Sequence, residues 1–98
     1  TLGEAPENKY EEARSWLVSN GYDSTIDYLV VAGKHALLKG MLPHMNAGAI
    51  DEAALLKLKT VSASQGMMIE SIAGRLAEPG GPHFGSPDKT PARRLATL

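Results

Sequence analysis

The chain has 98 residues, 43% of them hydrophobic, with 10 basic and 11 acidic side chains and a formal net charge of -1. That composition suits one modest core and excludes two domains. The near-neutral balance offers no general attraction to nucleic acid or an anionic membrane, and no apolar run approaches the roughly 20 residues that span a bilayer.

Cysteine is absent, which excludes disulfides and thiolate metal sites within these residues. Nothing resembles a signal peptide, so a cytoplasmic protein is expected. Position 1 is Thr, and the final segment "ARRLATL" is helical without a glycine or proline exit. A piece of a larger protein, cut at both ends, is the expectation.

Residues 1–4 read as a strand end running into a turn that Pro6 closes. Residues 8–20 form the first predicted helix. Asn8 and Glu11 supply a capping pattern, Tyr10, Ala13, Trp16 and Leu17 an apolar stripe, and Asn20-Gly21 an exit. The second helix spans 24–39, with Ser24 and Asp27 at its start and Gly40 as its left-handed exit. Residues 41–46, "MLPHMN", are a short apolar strand weakened by Pro43.

Asp51 begins a third helix over 52–59, acidic at its start and lysine-rich at its end. The small residues at 60–64, "TVSAS", suit a tightly packed strand, and 65–76 is expected to enter a helical turn. The stretch 80–91, "GGPHFGSPDKTP", forbids regular structure, and loops of that length are usually functional or disordered. Thr90 then caps a helix whose first position is Pro91. Strands alternating with helices imply βαβ crossovers and a parallel sheet.

In such sheets functional groups collect at the carboxyl ends of strands. Gly3-Glu4, Asn46 with Gly48, Glu70 and the long loop are therefore expected on one rim. Glu4 beside Gly3 is either a polar turn receiving a ligand amine or an ordinary strand-to-helix turn. His44 and Asn46 share a strand face and either bind a polar ligand or bond internally. Ser62, Ser64 and Glu70 bring hydroxyls and a carboxylate to the last strand's end. Glu70 lies among Met67, Met68 and Ile69, so it either accepts hydrogen bonds, as from a sugar, or is simply exposed. Lys89 precedes the Thr90-Pro91 helix start, an arrangement for a carboxylate or phosphate unless the lysine is merely solvated. His35, His44 and His83 lack metal-ligand spacing, so no metal site is expected on this chain.

Five blocks in series, "TLGEAPE", "GYDSTIDYL", "MLPHMNAG", "VSASQGMMIES" and "GGPHFGSPDKTPARRLATL", resemble the FO synthase family. The similarity is to the half that makes 7,8-didemethyl-8-hydroxy-5-deazariboflavin, a radical S-adenosylmethionine (SAM) lyase of coenzyme F420 biosynthesis. The resemblance implies a TIM-type (β/α) barrel. Residues 1–98 would then be an interior, partial barrel domain from the end of strand two to the helix after strand four.

It also implies cofactor contacts. Gly3 and Glu4 would receive the methionine amino group of SAM, Glu70 would lie near its ribose, and Lys89 would hold its carboxylate. His44, Asn46, Ser62, Ser64 and His83 would contact substrate. The family's [4Fe-4S] cluster is held by a Cys-x3-Cys-x2-Cys loop after strand one, so its ligands are expected outside this chain. In the complete enzyme the cluster cleaves SAM reductively. The resulting radical abstracts hydrogen from a hydroxybenzyl–ribitylaminouracil adduct, and ring closure with ammonia loss follows.

The expected partners are that small-molecule substrate and a companion radical SAM subunit or fused domain, with neither nucleic acid nor membrane. Two alternatives stand beside this. One is the companion enzyme that joins tyrosine to 5-amino-6-ribitylaminouracil; "GEAPE" and "GSPDKTPARRLATL" favour the lyase over it. The other is an autonomous α/β module for a small anion.

Overall fold

Two short parallel strands organise the chain in the computed structural model, which describes residues 5–98. Strand β1 (His44–Met45) pairs with β2 (Ser64–Gln65), His44 opposite Ser64 and Met45 opposite Gln65. The ladder extends one bond each way, from Ala63 N–H to the Pro43 carbonyl at 2.9 Å and from Gly66 N–H to the Met45 carbonyl at 3.0 Å. Parallel strands need a crossover connection. Here a helix at Glu52–Lys59 makes it, preceded by helices at Glu11–Ser19 and Thr25–Leu38 and followed by one at Pro91–Thr97. In chain order the helices are α1 (Glu11–Ser19), α2 (Thr25–Leu38), α3 (Glu52–Lys59) and α4 (Pro91–Thr97). The expected α/β class with a parallel sheet is therefore observed.

Helix boundaries follow local chemistry where a cap is strong. The Ser24 hydroxyl accepts from the Asp27 N–H at 3.2 Å, and Gly40 leaves α2 at φ 75°. Asp51 accepts from the Ala54 N–H at 2.8 Å, and α3 has the expected span. The first helix is shorter than expected. Pro6 starts a separate 3-10 turn at Pro6–Asn8, and Tyr10, in extended conformation, precedes α1. Asn8 is thus not its cap. Thr90 occupies the N-cap position of α4 as expected, but its hydroxyl donates to the Pro87 carbonyl at 2.9 Å and caps no helical N–H.

Both strands are shorter than expected, and β2 begins four residues later. Val61 N–H and the Ser62 hydroxyl both donate to the Leu58 carbonyl, at 3.0 and 2.8 Å. Those bonds keep residues 60–62 closing α3, so they cannot join the ladder. Pro43 has no N–H to donate and contributes only its carbonyl. The helical turn expected within 65–76 appears late, as a 3-10 turn at Gly74–Ala77.

Helix α2 lies against the sheet at Gly33. A Cβ there would stand 2.9 Å from Met45 Cε of β1 and 2.9 Å from Cγ2 of the buried Val61, just past the end of α3. Leu17, Ala49, Ile50, Leu58 and Val61 are the buried hydrophobics among the described residues. The core is thin, and the radius of gyration of 14.7 Å exceeds the roughly 13 Å of a compact 100-residue domain. Met45 faces α2 and Gln65 bonds to the Leu55 carbonyl of α3, so His44 and Ser64 occupy the opposite, exposed sheet face. Gly33→Val should cost about 1–3 kcal/mol by overpacking, read as a lower urea midpoint of the full-length protein. An unchanged midpoint would show that α2 does not seat on the sheet as described.

Candidate functional site

Beyond β2 the chain reaches Glu70, whose backbone has φ 64°. Ser71 N–H donates to the Ile69 carbonyl at 2.8 Å across it, so Glu70 is the centre of a positive-φ γ-turn. That turn is rare and strained. Strain of this kind costs about 1–3 kcal/mol and persists only where surrounding groups hold it.

The holding groups are basic. Arg94 of α4 approaches one carboxylate oxygen of Glu70, Nη2 to Oε1 at 3.3 Å, and Lys89 approaches the other, Nζ to Oε2 at 3.4 Å. Arg94 Nη1 also donates to the Met68 carbonyl, on the near side of the same turn. Arg94 is buried, 5% exposed, and its Nε has no hydrogen-bond partner among the described residues.

A second pair extends the cluster. Asp88 is 3% exposed and accepts from Lys9 Nζ at 2.8 Å. Burial pushes its carboxyl up, but the Lys9 hydrogen bond and charge, with a smaller contribution from Arg94, hold it below the usual aspartate value. The Pro87–Lys89 turn presents Asp88 and Lys89 as neighbours, so one loop engages both Lys9 and Glu70. Among the described residues Lys9 pairs with Asp88, while Lys89 and Arg94 share Glu70.

The segment just before α1 is tied in from the other side. Glu7 accepts from Thr25 N–H at 3.1 Å and from its hydroxyl at 2.7 Å, at the start of α2. Burial raises the Glu7 carboxyl and these bonds lower it further, leaving it below its ordinary value. Ala5, Asn8 and Lys9 line a cavity of about 340 Å³ with Pro87, Asp88 and Arg93. That cavity joins the chain that follows residue 4 to the long loop. Gly3 and Glu4 themselves lie outside the described residues.

The structure thus brings Glu70 and Lys89 together. It does so differently from the sequence expectation: the Lys89 ammonium lies on Glu70, and α4 behind it has only seven residues. On the sheet, His44 Nδ1 and Ser64 Oγ are 2.8 Å apart, and a Cβ at Gly66 would stand 3.1 Å from the imidazole. Asn46 follows β1 directly and is exposed. Ser62 is spent on the end of α3. His83 lines a separate cavity of about 180 Å³ with Ala77, Gly85 and Thr90. A further cavity of about 260 Å³ opens among Met45, Gln65, Leu55 and Thr97, on the helix-facing side of the sheet.

Sequence reasoning missed Lys9, Asp88 and Arg94. A carboxylate placed among Met67, Met68 and Ile69 does demand a cation, which was a signal for Arg94. Nothing local marked Asp88 as buried. Among the described residues no group of three or more His, Cys, Asp or Glu could hold a metal, and no helix is long and apolar enough to cross a membrane.

Over its whole length the chain is 50% identical to FO synthase of Streptomyces avermitilis, across 100 aligned positions. The chain matches a segment of FO synthases. It is 48% identical to FO synthase of Nocardia farcinica, and 44% to 7,8-didemethyl-8-hydroxy-5-deazariboflavin synthase of Methanopyrus kandleri. It spans 12% of the Streptomyces and Nocardia FO synthases and 30% of the Methanopyrus protein. No family model matches, and no solved structure matches.

Asp88 and Glu7 both have folded values below their ordinary ones, so their stabilisation is complete above the ordinary carboxylate range, near pH 4. It is lost as pH falls through the lower folded values. Asp88→Asn should cost about 1–3 kcal/mol at pH 7 and flatten the acid limb of stability against pH. A variant whose unfolding curve superimposes on the parent's at pH 7 and pH 3 would leave the Lys9 pair without energetic weight.

Proposed function

We propose that this chain is a segment of a radical SAM lyase that forms the deazaflavin chromophore of coenzyme F420. Collinear identity of 44–50% to FO synthases across the entire chain carries the proposal. The Methanopyrus relative, the shorter protein of the two kinds, is named for the deazaflavin product. That favours the lyase over the companion enzyme joining tyrosine to ribitylaminouracil.

In this reading residues 1–98 are part of one (β/α) barrel domain, and β1 and β2 are its third and fourth strands. Parallel sheets are normally covered on both faces. Here one face carries α2 and α3, while the other presents His44 and Ser64. A barrel interior would enclose that polar face and place substrate against His44, Asn46 and Ser64.

The donor set fits SAM. Its ribose hydroxyls suit Glu70, an acceptor with two oxygens, and its methionine carboxylate suits Lys89, a partly exposed cation beside it. Gly3 and Glu4 would meet the amino group, and His83, earlier on the long loop that carries Lys89, would contact substrate. A [4Fe-4S] cluster does not fit these residues, since the chain has no cysteine, and its ligands would come from elsewhere in the longer polypeptide. When bound, SAM with that cluster supplies radical hydrogen abstraction; the groups on this chain bind, orient and exclude water. The hydroxybenzyl–ribitylaminouracil adduct would be the substrate, and a companion subunit or fused domain its source.

In the full-length protein Lys89→Ala should weaken SAM binding about tenfold or more while shifting the melting temperature little, since Lys89 is partly exposed. Calorimetric affinity equal to the parent's would remove Lys89 from the site. Glu70→Gln should likewise weaken SAM and slow its cleavage. Intact binding and cleavage would make Glu70 structural.

A further inference from the structure

The two cations on Glu70 differ in what they can do. The Arg94 side chain is 6% exposed, fixed at one end to the Met68 carbonyl and at the other to the carboxylate. Its own charge is buried, so giving up these partners would leave that charge uncompensated. The Lys89 side chain is 38% exposed, makes its contact at 3.4 Å, and sits on a flexible four-carbon stem. Its attachment to Glu70 is the looser of the two.

We propose that Arg94 is a positioning residue, the permanent counter-ion of Glu70, and that Lys89 is an exchangeable one that transfers to the carboxylate of an incoming ligand. Arg94 bonds to the Met68 carbonyl, just before the strained γ-turn, and to the Glu70 carboxylate at its centre, so it fixes the incoming backbone and the carboxylate in one grip. With Arg94 in place, Lys89 can leave Glu70 without uncovering an uncompensated negative charge. Glu70 then stays in place, its Oε2 released to accept hydroxyl hydrogen bonds. Before ligand arrives, the Lys89 contact keeps that oxygen occupied and the lysine oriented. A single carboxylate in the ligand therefore completes two contacts: its own with Lys89, and the one it frees on Glu70. This inference rests on the assignment of Glu70 and Lys89 to the SAM site and adds the order in which their partners change.

The test measures affinity of the full-length protein for SAM and for decarboxylated SAM, which keeps the nucleoside and the amine but lacks the carboxylate. Lys89→Met should weaken SAM about tenfold or more and leave decarboxylated SAM within about twofold. Arg94→Met should weaken both ligands alike, and should add little to the loss in Glu70→Gln, because it acts through that carboxylate. Arg94→Lys should recover part of the affinity by restoring the charge. If Arg94→Met does not fold, Arg94→Lys and the Lys89 comparison decide. Equal losses for both ligands in Lys89→Met would overturn the exchange. Full additivity of the Arg94 and Glu70 effects, or Arg94→Lys binding as the parent does in a Glu70→Gln-sensitive site, would overturn the positioning role. If Glu70→Gln and Lys89→Met both bind SAM as the parent does, the SAM assignment fails instead, and the inference with it.

Discussion

A carboxylate held between two cations over a strained turn is the constraint on which the rest of this site depends. Glu70 takes a backbone conformation that non-glycine residues avoid, and nothing in its own segment favours it. The compensation arrives from 19 to 24 residues farther along the chain, through Lys89 and Arg94. The long loop and α4 are therefore tied to the exit of β2 by electrostatics, with Arg94 the buried member, whose charge would be costly to leave alone. Covering apolar surface is a secondary matter here, for the core is small.

The same logic runs through the loop to the other end of the chain. Asp88 and Lys89 are neighbours with opposite charges, and each finds a distant partner of the opposite sign. Lys9 draws the loop toward the segment before α1, and Glu7 draws that segment onto the first turn of α2. Three elements far apart in sequence thus meet around one group of charges. Packing supplies the frame for this arrangement: the missing side chain at Gly33 lets α2 approach Val61 closely and sets the height of the helix above the sheet.

A site of this design is polar and built on elements that are themselves held by ion pairs. It can discriminate ligands by charge and by hydroxyl geometry together. Hydrogen bonds to charged groups are roughly twice as strong as neutral ones. They are also intolerant of a missing partner, which is how a modest number of contacts can be selective. The His44–Ser64 pair on the open sheet face offers a directional polar contact, and Gly66 leaves the imidazole its room.

Local chemistry alone determined α2 and α3, because Ser24 and Asp51 satisfy backbone donors within three residues and Gly40 takes a conformation that other residues resist. It also determined the alternation of helix and strand, hence the parallel pairing, and it placed Glu70 and Lys89 among the candidates. Only the tertiary structure decided that β2 starts at Ser64, since the preceding hydroxyl and N–H groups are claimed by the end of α3. Only it decided that Asp88 and Arg94 are buried. A charge is burial-competent when a partner of opposite sign stands within a few ångströms, and that partner lies on another part of the chain, where no local pattern reaches.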